Sequence, residues 1–278
     1  MLAILAVVLM LVIGVTAAEA YVLQGAHVLD LMIGRLGRVR GLEVHQQVTL
    51  YDDRFSEGGT AVLNEIARYR PPHAFRSDTT SDRINRIHLQ LDRSALTVLD
   101  GRLSDTAETP YDRYKDLLLV RDRKLLEKQL ARLGVDVTVS SLGRFENHIA
   151  FVVGARYPDD TRSQVWIDKE TFTPLRWLMR RPDDPPGAGL EVQYRNWAKH
   201  GPIQHPMQVT FIEDGRLVRE IRVQRLVVNP ALEDDLFDLA AIRAEAQSHH
   251  GIDDAAAVED RPAGSAGKAT EDFKTHYE

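Results

Sequence analysis

The hydrophobic pattern of the chain changes period several times, and each period predicts a different kind of element. Near the beginning, apolar residues recur at steps of three and four, as on one face of a helix: Leu29, Ile33 and Leu36. Gly37 follows them, and glycine commonly ends a helix. Residues 41–52 then alternate between apolar and polar side chains. The pattern predicts a helix over 22–37, followed by a strand with one face exposed to water.

Most of the remaining chain continues with short strand-like segments separated by turn residues. The predicted strands are 61–69, 74–79, 83–91, 96–99, 136–142, 148–155, 163–168, 172–179, 190–197, 207–213 and 217–228. Tight turns are predicted at Asp100-Gly101, Glu146-Asn147 and Asp214-Gly215. Between the strands, 110–134 returns to a helical period, which predicts one interrupted helix or two short ones.

The order of these elements predicts the fold class. Parallel neighbours need a crossover of about a dozen residues, so short strands joined by tight turns favour antiparallel pairing. A sheet of about ten strands tends to curl, and helices then cover its concave face. We predict an α+β fold, in which a large curved antiparallel sheet forms a half-open, incomplete β-barrel with helices on the concave face.

The two ends of the chain differ in composition from the middle. Residues 2–15 are apolar, a run shorter than the roughly 20 residues needed to cross a bilayer, and Ala18 and Ala20 follow as a cleavage pattern. We interpret 1–20 as a signal peptide cleaved after Ala20, which makes the protein periplasmic. No Lys or Arg precedes the apolar run, so an uncleaved anchor or a misplaced start codon are the alternatives. Residues 247–278 are acidic and poor in large apolar side chains, which predicts a disordered tail after one domain over 21–246.

Composition narrows the range of functions. Of the 278 residues, 44% are hydrophobic and 27% charged, which is typical of a globular protein. The formal net charge of −6 argues against a nucleic-acid partner, because phosphate backbones bind basic surfaces. The chain has no cysteine, which excludes thiol nucleophiles, disulfides, cysteine-ligated zinc and iron–sulfur clusters.

None of the segments has the spacing of a catalytic or metal-binding motif. There is no H-E-x-x-H, and His249-His250 lies in the predicted tail. Ser140-Ser141 lacks the preceding glycine of a nucleophile elbow, and 187–189 does not connect a strand to a helix. The small basic clusters at 121–124 and Arg180-Arg181 are expected on solvated surfaces. We therefore predict a protein that is not an enzyme and that binds no metal and no cofactor.

The apolar content exceeds what a single core face requires. Residues 148–153 are apolar on both faces of a predicted strand, and large aromatic residues lie on the neighbouring strands. A sheet buried on both sides is covered by helices, by another sheet or by a ligand. Two interpretations follow: either helices cover the sheet completely, or they leave an apolar cavity able to hold acyl chains.

Four segments resemble the LolA/LolB-like superfamily of outer-membrane lipoprotein-sorting proteins, which includes the amino-terminal domain of the periplasmic regulator RseB. They are Y-R-P-P-H-A-F-R at 69–76, Asp100-Gly101, V-W-I-D-K-E-T-F-T-P-L-R at 165–176, and V-N-P-A-L with the following L-F at 228–237. The segment at 165–176 is the most specific, because two strands joined by a charged tip occur there across the superfamily. The resemblance spans about 22–239.

The resemblance implies a half-open antiparallel barrel with a helical lid. In this family the apolar interior accepts lipoprotein acyl chains or other lipid, such as phospholipid, which the protein carries through the periplasm. Inner-membrane donor and outer-membrane acceptor proteins are the implied partners. Each buried methylene contributes about 0.8 kcal/mol, which over an acyl chain is enough to hold such a cargo. The likeness to RseB implies the alternative, a sensor or scaffold that binds a membrane-protein partner.

The family also has an arginine that locks the lid through hydrogen bonds to backbone carbonyls, and Arg70 is the candidate that the resemblance implies here. Pro71 shifts Arg70 by one residue from the family pattern, which on a strand changes the face it occupies. Strand position and side-chain size predict the residues that line or border the cavity. These are Phe75, Leu118, Phe151, Val153, Trp166, Trp177 and Phe211.

Overall fold

The computed structural model of the chain describes residues 22–51, 59–82, 84–181, 184–185 and 188–256, without the side chains of 249–256. Thirteen strands of this described part form one curved antiparallel sheet that is not closed into a barrel, and four helices accompany it. The predicted α+β class is confirmed. The predicted signal peptide at 1–20 lies outside the described residues. None of the helices within the described part combines the length and the apolar composition needed to cross a membrane.

The strands are numbered in chain order. They are β1 Leu42–Tyr51, β2 Thr60–Arg70, β3 Ala74–Thr80, β4 Asn85–Leu91, β5 Ser94–Leu99, β6 Arg102–Leu103, β7 Ser140–Phe145, β8 His148–Val153, β9 Gln164–Asp168, β10 Pro174–Met179, β11 Leu190–His200, β12 Ile203–Glu213 and β13 Arg216–Val228. The helices are α1 Gly25–Leu36, α2 Tyr114–Leu119, α3 Arg123–Arg132 and α4 Leu239–Ala256, and short 3-10 helices cover Pro110–Arg113 and Asp234–Phe237.

Strands that are neighbours in sequence are also neighbours in the sheet. The order is β6-β5-β4-β3-β2-β1-β13-β12-β11-β10-β9-β8-β7, so two meanders meet where β1 pairs with β13. The predicted turns supply the backbone that hairpins need: φ is 50° and 79° at Asp100-Gly101 and again at Asp214-Gly215. The antiparallel arrangement predicted from the short turns is therefore confirmed.

The sheet has two faces, and helices pack on both. We call the face that contacts α1, α2 and α3 the lid face, and the opposite one the outer face. On the lid face, buried apolar residues of α1, such as Leu29 and Met32, pack against strand residues such as Phe211. On the outer face, Ile242 and Ala246 of α4 cover apolar residues of β3–β5.

Three differences from the predicted elements have local causes. The strand predicted from 136 begins at Ser140, because the turn bond from the Val139 amide to the Asp136 carbonyl precedes it. The interrupted helix at 110–134 is a 3-10 turn followed by α2 and α3, with Asp122 capping α3 by accepting from the Leu125 amide at 2.8 Å. Helix α4 runs past the predicted domain boundary at 246, and 257–278 lie outside the described residues.

Gly37 ends α1 as predicted, for two reasons. Its φ is 76°, a left-handed conformation that side chains disfavour. In addition, a Cβ placed there would lie 2.1 Å from the Pro202 carbonyl oxygen. The end of α1 is therefore fixed directly against the β11–β12 hairpin.

Candidate functional site

An apolar space lies between the lid face and the segment 110–132, which we call the lid. The part under α2, the inner chamber, is lined by Leu42, Val44, Ala67, Tyr69, Phe75 and Leu118, among others. Its free volume of about 20 Å³ is close to that of one water molecule. The inner chamber is therefore apolar and closed in this conformation.

The inner chamber adjoins a larger space, the outer groove, of about 340 Å³. The outer groove is bounded by the β2–β3 turn, the end of α2 and the start of α3. Leu42, Tyr69, Leu118, Leu119 and His205 line both spaces. Movement of the end of α2 away from the sheet would join the chamber and the groove into one cavity.

The beginning of the lid is anchored to the sheet by a buried ion pair. One terminal nitrogen of Arg86 on β4 donates to both carboxylate oxygens of Asp112 at 2.9 Å, and both side chains are buried. Burial alone would raise the pKa of Asp112, but the Arg86 guanidinium, together with Lys115 and the Thr109 amide, outweighs it and holds that pKa below its usual range. Breaking such a pair leaves an uncompensated buried charge, so this end of the lid is firmly held.

The other end of the lid is held by hydrogen bonds to backbone carbonyls, which we call the latch. The Tyr69 hydroxyl donates to the carbonyls of Leu119 at 2.9 Å and Pro72 at 3.2 Å. Arg121 donates from Nε to the Gly37 carbonyl and from a terminal nitrogen to the Leu118 carbonyl, both at 2.6 Å. The latch thus ties the end of α2 to the end of α1 and to the β2–β3 turn.

Burial shifts the pKa values of both latch residues, but both keep the protons that they donate at neutral pH. It raises the pKa of Tyr69, which therefore stays protonated and able to donate. Burial lowers the pKa of Arg121 to about 10, so the guanidinium remains charged at neutral pH. An ion pair between Arg123 Nε and Asp30, at 3.0 Å, reinforces the contact between α3 and α1.

Arg70, the predicted lid-lock candidate, lies away from the lid, whereas Arg121 makes hydrogen bonds to backbone carbonyls. Arg70 lies on the outer face, pairs with Asp234 there, and has its guanidinium carbon 4.6 Å from the centre of the Phe237 ring. The reason is the alternation of β2, which turns Tyr69 toward the lid and its neighbour Arg70 away from it. Arg121 was expected to be solvated, yet its position right after a helix end is one from which arginine reaches free carbonyls.

The structure separates the predicted cavity residues into three groups. Phe75 and Leu118 line the inner chamber. Phe151, Val153, Trp177 and Phe211 lie on the lid face but pack in the core cluster with α1, so they line neither the chamber nor the outer groove. The cause is that other side chains fill the space around them: the Phe211 ring contacts Tyr111 and Tyr114, and the Phe151 ring stacks on Phe172.

Trp166 belongs to the third group, because it lies on the outer face. There it packs with Ala150, Val152 and Leu175, and the Phe145 ring centre is 6.2 Å from its own. Adjacent strands place directly paired residues on the same face, and Trp166 pairs with Val152 on β8 and Arg176 on β10. Val165 and Trp177 form the neighbouring row, which faces the lid side.

Buried polar side chains limit the chamber on its inner side. Gln46, which lines the chamber, donates to Glu65 at 2.8 Å, and Glu65 also accepts from Ser77. Burial lowers the pKa of His88 to about 4 and that of His205 to about 4, so both imidazoles are neutral at pH 7. Gln46 and His205 are therefore uncharged polar side chains within a mainly apolar lining.

Solved structures show the same fold in other proteins. A domain from Vibrio parahaemolyticus assigned to outer membrane lipoprotein sorting has a TM-score of 0.52 at 12% identity, over 79% of this chain and 98% of that one. A DUF1329 family protein from Desulfovibrio piger also has 0.52, at 11% identity over 78% and 97%. A LolA superfamily protein from Nitrosomonas europaea has 0.46, at 7% identity over 77% and 97%.

No protein-family model and no curated protein matches the chain. The structural matches therefore show the fold alone, which this chain shares with a lipoprotein-sorting domain and a DUF1329 protein.

Proposed function

We propose that the protein is a periplasmic carrier that holds the acyl chains of a lipoprotein or another lipid beneath its lid and moves them toward the outer membrane. The observation that carries the proposal is the closed apolar chamber under a lid that is anchored firmly at one end and latched at the other. The shared fold with a lipoprotein-sorting domain supports it. The periplasmic location rests on the predicted signal peptide at 1–20.

Volumes indicate that loading requires the lid to move. The chamber, at about 20 Å³, has room for about one water molecule in this conformation. An acyl chain is many times larger than that. The ligand therefore displaces α2 from the sheet, and the latch is the contact that must open first.

Two free-energy contributions oppose each other when the lid opens: the burial of the acyl chain and the loss of the hydrogen bonds of the latch. Their magnitudes favour opening driven by the ligand. Sixteen methylenes, transferred from water, contribute roughly 13 kcal/mol when fully buried. A hydrogen bond contributes about 1 kcal/mol, or roughly 1.5–3 kcal/mol when one group is charged, as with Arg121. The hydrogen bonds of the latch thus contribute less free energy than the burial of one acyl chain from water. Without a ligand nothing offsets their loss, so the empty protein stays closed.

Lipid content of the purified protein tests the proposal. We would express the whole precursor in a bacterium, purify the mature form without detergent, and measure its native mass before and after organic extraction. The expected result is an excess mass that extracts as lipid. Phe75→Asp puts a charge into the chamber and should abolish the excess, whereas Val62→Asp, at an exposed outer-face position of β2, should retain it.

A second pair of variants covers the case in which Phe75→Asp does not fold. Arg121→Gln weakens the latch and should speed the uptake of a fluorescent fatty acid several-fold, while Arg70→Gln on the outer face should leave the rate unchanged. A bare polypeptide that takes up no added lipid would overturn the carrier proposal. If that polypeptide retained one membrane protein instead, the sensor alternative would be favoured.

A further inference from the structure

A third space, the polar groove, opens beside the chamber and contains about 840 Å³. It lies between the β2–β3 turn, the β4–β5 turn and α3, and Arg93, Lys128 and Arg132 stand on its exposed rim. The proposed carrier function makes no use of these side chains.

The polar groove borders the space assigned to the acyl chains. Tyr69, Leu119 and Val120 line both the outer groove and the polar groove. Phe75 and Lys115 line both the inner chamber and the polar groove. A molecule whose chain lies under the lid would therefore place its polar end in this groove.

The charge of the polar groove is opposite to that of the whole chain. Five basic and three acidic side chains line it, although the formal net charge of the protein is −6. The basic residues are Arg93, Arg113, Lys115, Lys128 and Arg132, and the acidic ones are Asp92, Glu108 and Asp116. The groove is a local cationic site on an anionic protein.

Two of the three acids are already neutralised. Glu108 pairs with Arg113 at 2.6 Å and with Lys115 at 2.9 Å. Asp116 is buried, lies 3.7 Å from Arg113, and has its pKa raised by burial. Asp92 stands exposed on the rim beside Arg93.

The three rim cations, in contrast, have no ion-pair partner within the part of the chain that the structure describes. The exposed rim thus carries three cations and one acid. Arginine and lysine in this arrangement bind phosphate well, arginine in the bidentate manner.

We propose that the polar groove binds the phosphate of an anionic lipid headgroup whose acyl chains occupy the space under the lid. This inference rests on the proposed carrier function and adds the class of cargo. The occupant is an amphiphile, because the groove with the cationic rim and the apolar chamber lie side by side and share Phe75 and Lys115 in their linings. A water-soluble acidic peptide would use the rim and leave the chamber unused.

The test compares two lipids with the same acyl chains, one with a net anionic headgroup and one with a zwitterionic headgroup. The full-length mature protein is incubated at low ionic strength with vesicles of phosphatidylglycerol or of phosphatidylcholine with identical acyl chains, the vesicles are sedimented, and the protein-bound lipid is quantified. We expect about a tenfold preference for phosphatidylglycerol, and the preference should decrease as salt is added, because exposed charges are screened.

A charge-matched pair of variants tests the residues. Arg93→Gln, Lys128→Gln and Arg132→Gln together should reduce the preference to about twofold or less, with phosphatidylcholine loading unchanged. The control combines Arg156→Gln, Lys169→Gln and Lys199→Gln, which are equally exposed and lie outside the chamber and both grooves. The control removes the same charge and should keep the preference.

The outcomes separate this inference from the carrier function. Equal loading of the two lipids by the wild-type protein overturns the headgroup site and leaves the carrier intact. If neither lipid is loaded, the carrier proposal itself fails. If the protein sediments with anionic vesicles yet holds no lipid afterwards, the rim is reassigned to membrane docking. If the protein binds millimolar inorganic phosphate at the rim but holds no lipid, the rim is reassigned to the free anion.

Discussion

The lid face of the sheet has two regions that are filled in different ways. In one region, around α1 and the start of the lid, large side chains such as Trp177 and Phe211 are fully buried in a single apolar cluster. In the other region, at the end of α2, Tyr69 and Phe75 are also buried, but they border the inner chamber and the grooves. The same sheet therefore has a close-packed region that holds the fold and a loosely filled region that can change shape without unfolding it.

The largest expected difference concerns truncation of one phenylalanine in each region. Phe211→Ala removes a ring from a fully packed site and should lower the free energy of unfolding by about 3–5 kcal/mol. Phe75→Ala enlarges a space that already exists, so its loss of unfolding free energy should be smaller than that of Phe211→Ala by about 1–2 kcal/mol. Urea unfolding of both variants measures the difference. Equal losses would contradict the division of the lid face into two regions.

The second largest effect is expected from acid, which should destabilise the loosely filled region. Burial lowers the pKa of His88 to about 4 and of His205 to about 4, against about 6.5 in an unfolded chain. Between these values the unfolded state binds more protons, so this stabilisation is complete above pH 6.5 and is lost as the pH falls toward 4. Each histidine should remove about 2 kcal/mol between pH 7 and pH 5.

A single substitution checks the histidine prediction. Between pH 7 and pH 5, the free energy of unfolding of His205→Gln should fall by about 2 kcal/mol less than that of the wild-type protein. The measurement is urea unfolding at the two pH values. An unchanged pH dependence in this variant would mean that His205 is not a buried neutral group.

The smallest effect is expected at the latch. Tyr69→Phe removes the hydroxyl that bonds Leu119 and Pro72 and should cost about 1 kcal/mol. Tyr51→Phe is the matched control, because the Tyr51 hydroxyl donates to Glu220 at 3.1 Å and not to the lid. Hydrogen exchange of the α2 amides should accelerate in Tyr69→Phe alone; equal acceleration in both variants would show that the lid is not latched at Tyr69.

Much of the fold could be predicted because its signals are local. A strand with one buried face alternates along its own sequence, and Asp-Gly pairs adopt the positive φ of tight turns wherever they occur. Which face of each strand meets the lid is not a local property, especially on β8, where both faces are apolar. For that reason Phe151 and Trp166 were both expected at the cavity, although they lie on opposite faces of the sheet.

The candidate site was predicted only where a residue's neighbours in sequence also determine its surroundings. Phe75 follows the β2–β3 turn and Leu118 lies on the lid helix, so both reach the chamber. The packing of the Phe211 ring against Tyr111 and Tyr114 joins segments that are far apart in sequence. Arg121 was missed because its carbonyl partners include Gly37, which is far away in sequence and is brought near by the end of α1.

The pairing of β1 with β13 has a consequence for how the protein is made. Strands β2–β6 can join β1 as soon as they are synthesised, but the other edge of β1 finds its partner only when the last strand, Arg216–Val228, is available. Closure of so long a loop is a slow step, and an unpaired strand edge invites pairing with other chains. A nascent or newly unfolded chain is therefore most vulnerable to aggregation along β1 until its final strand arrives.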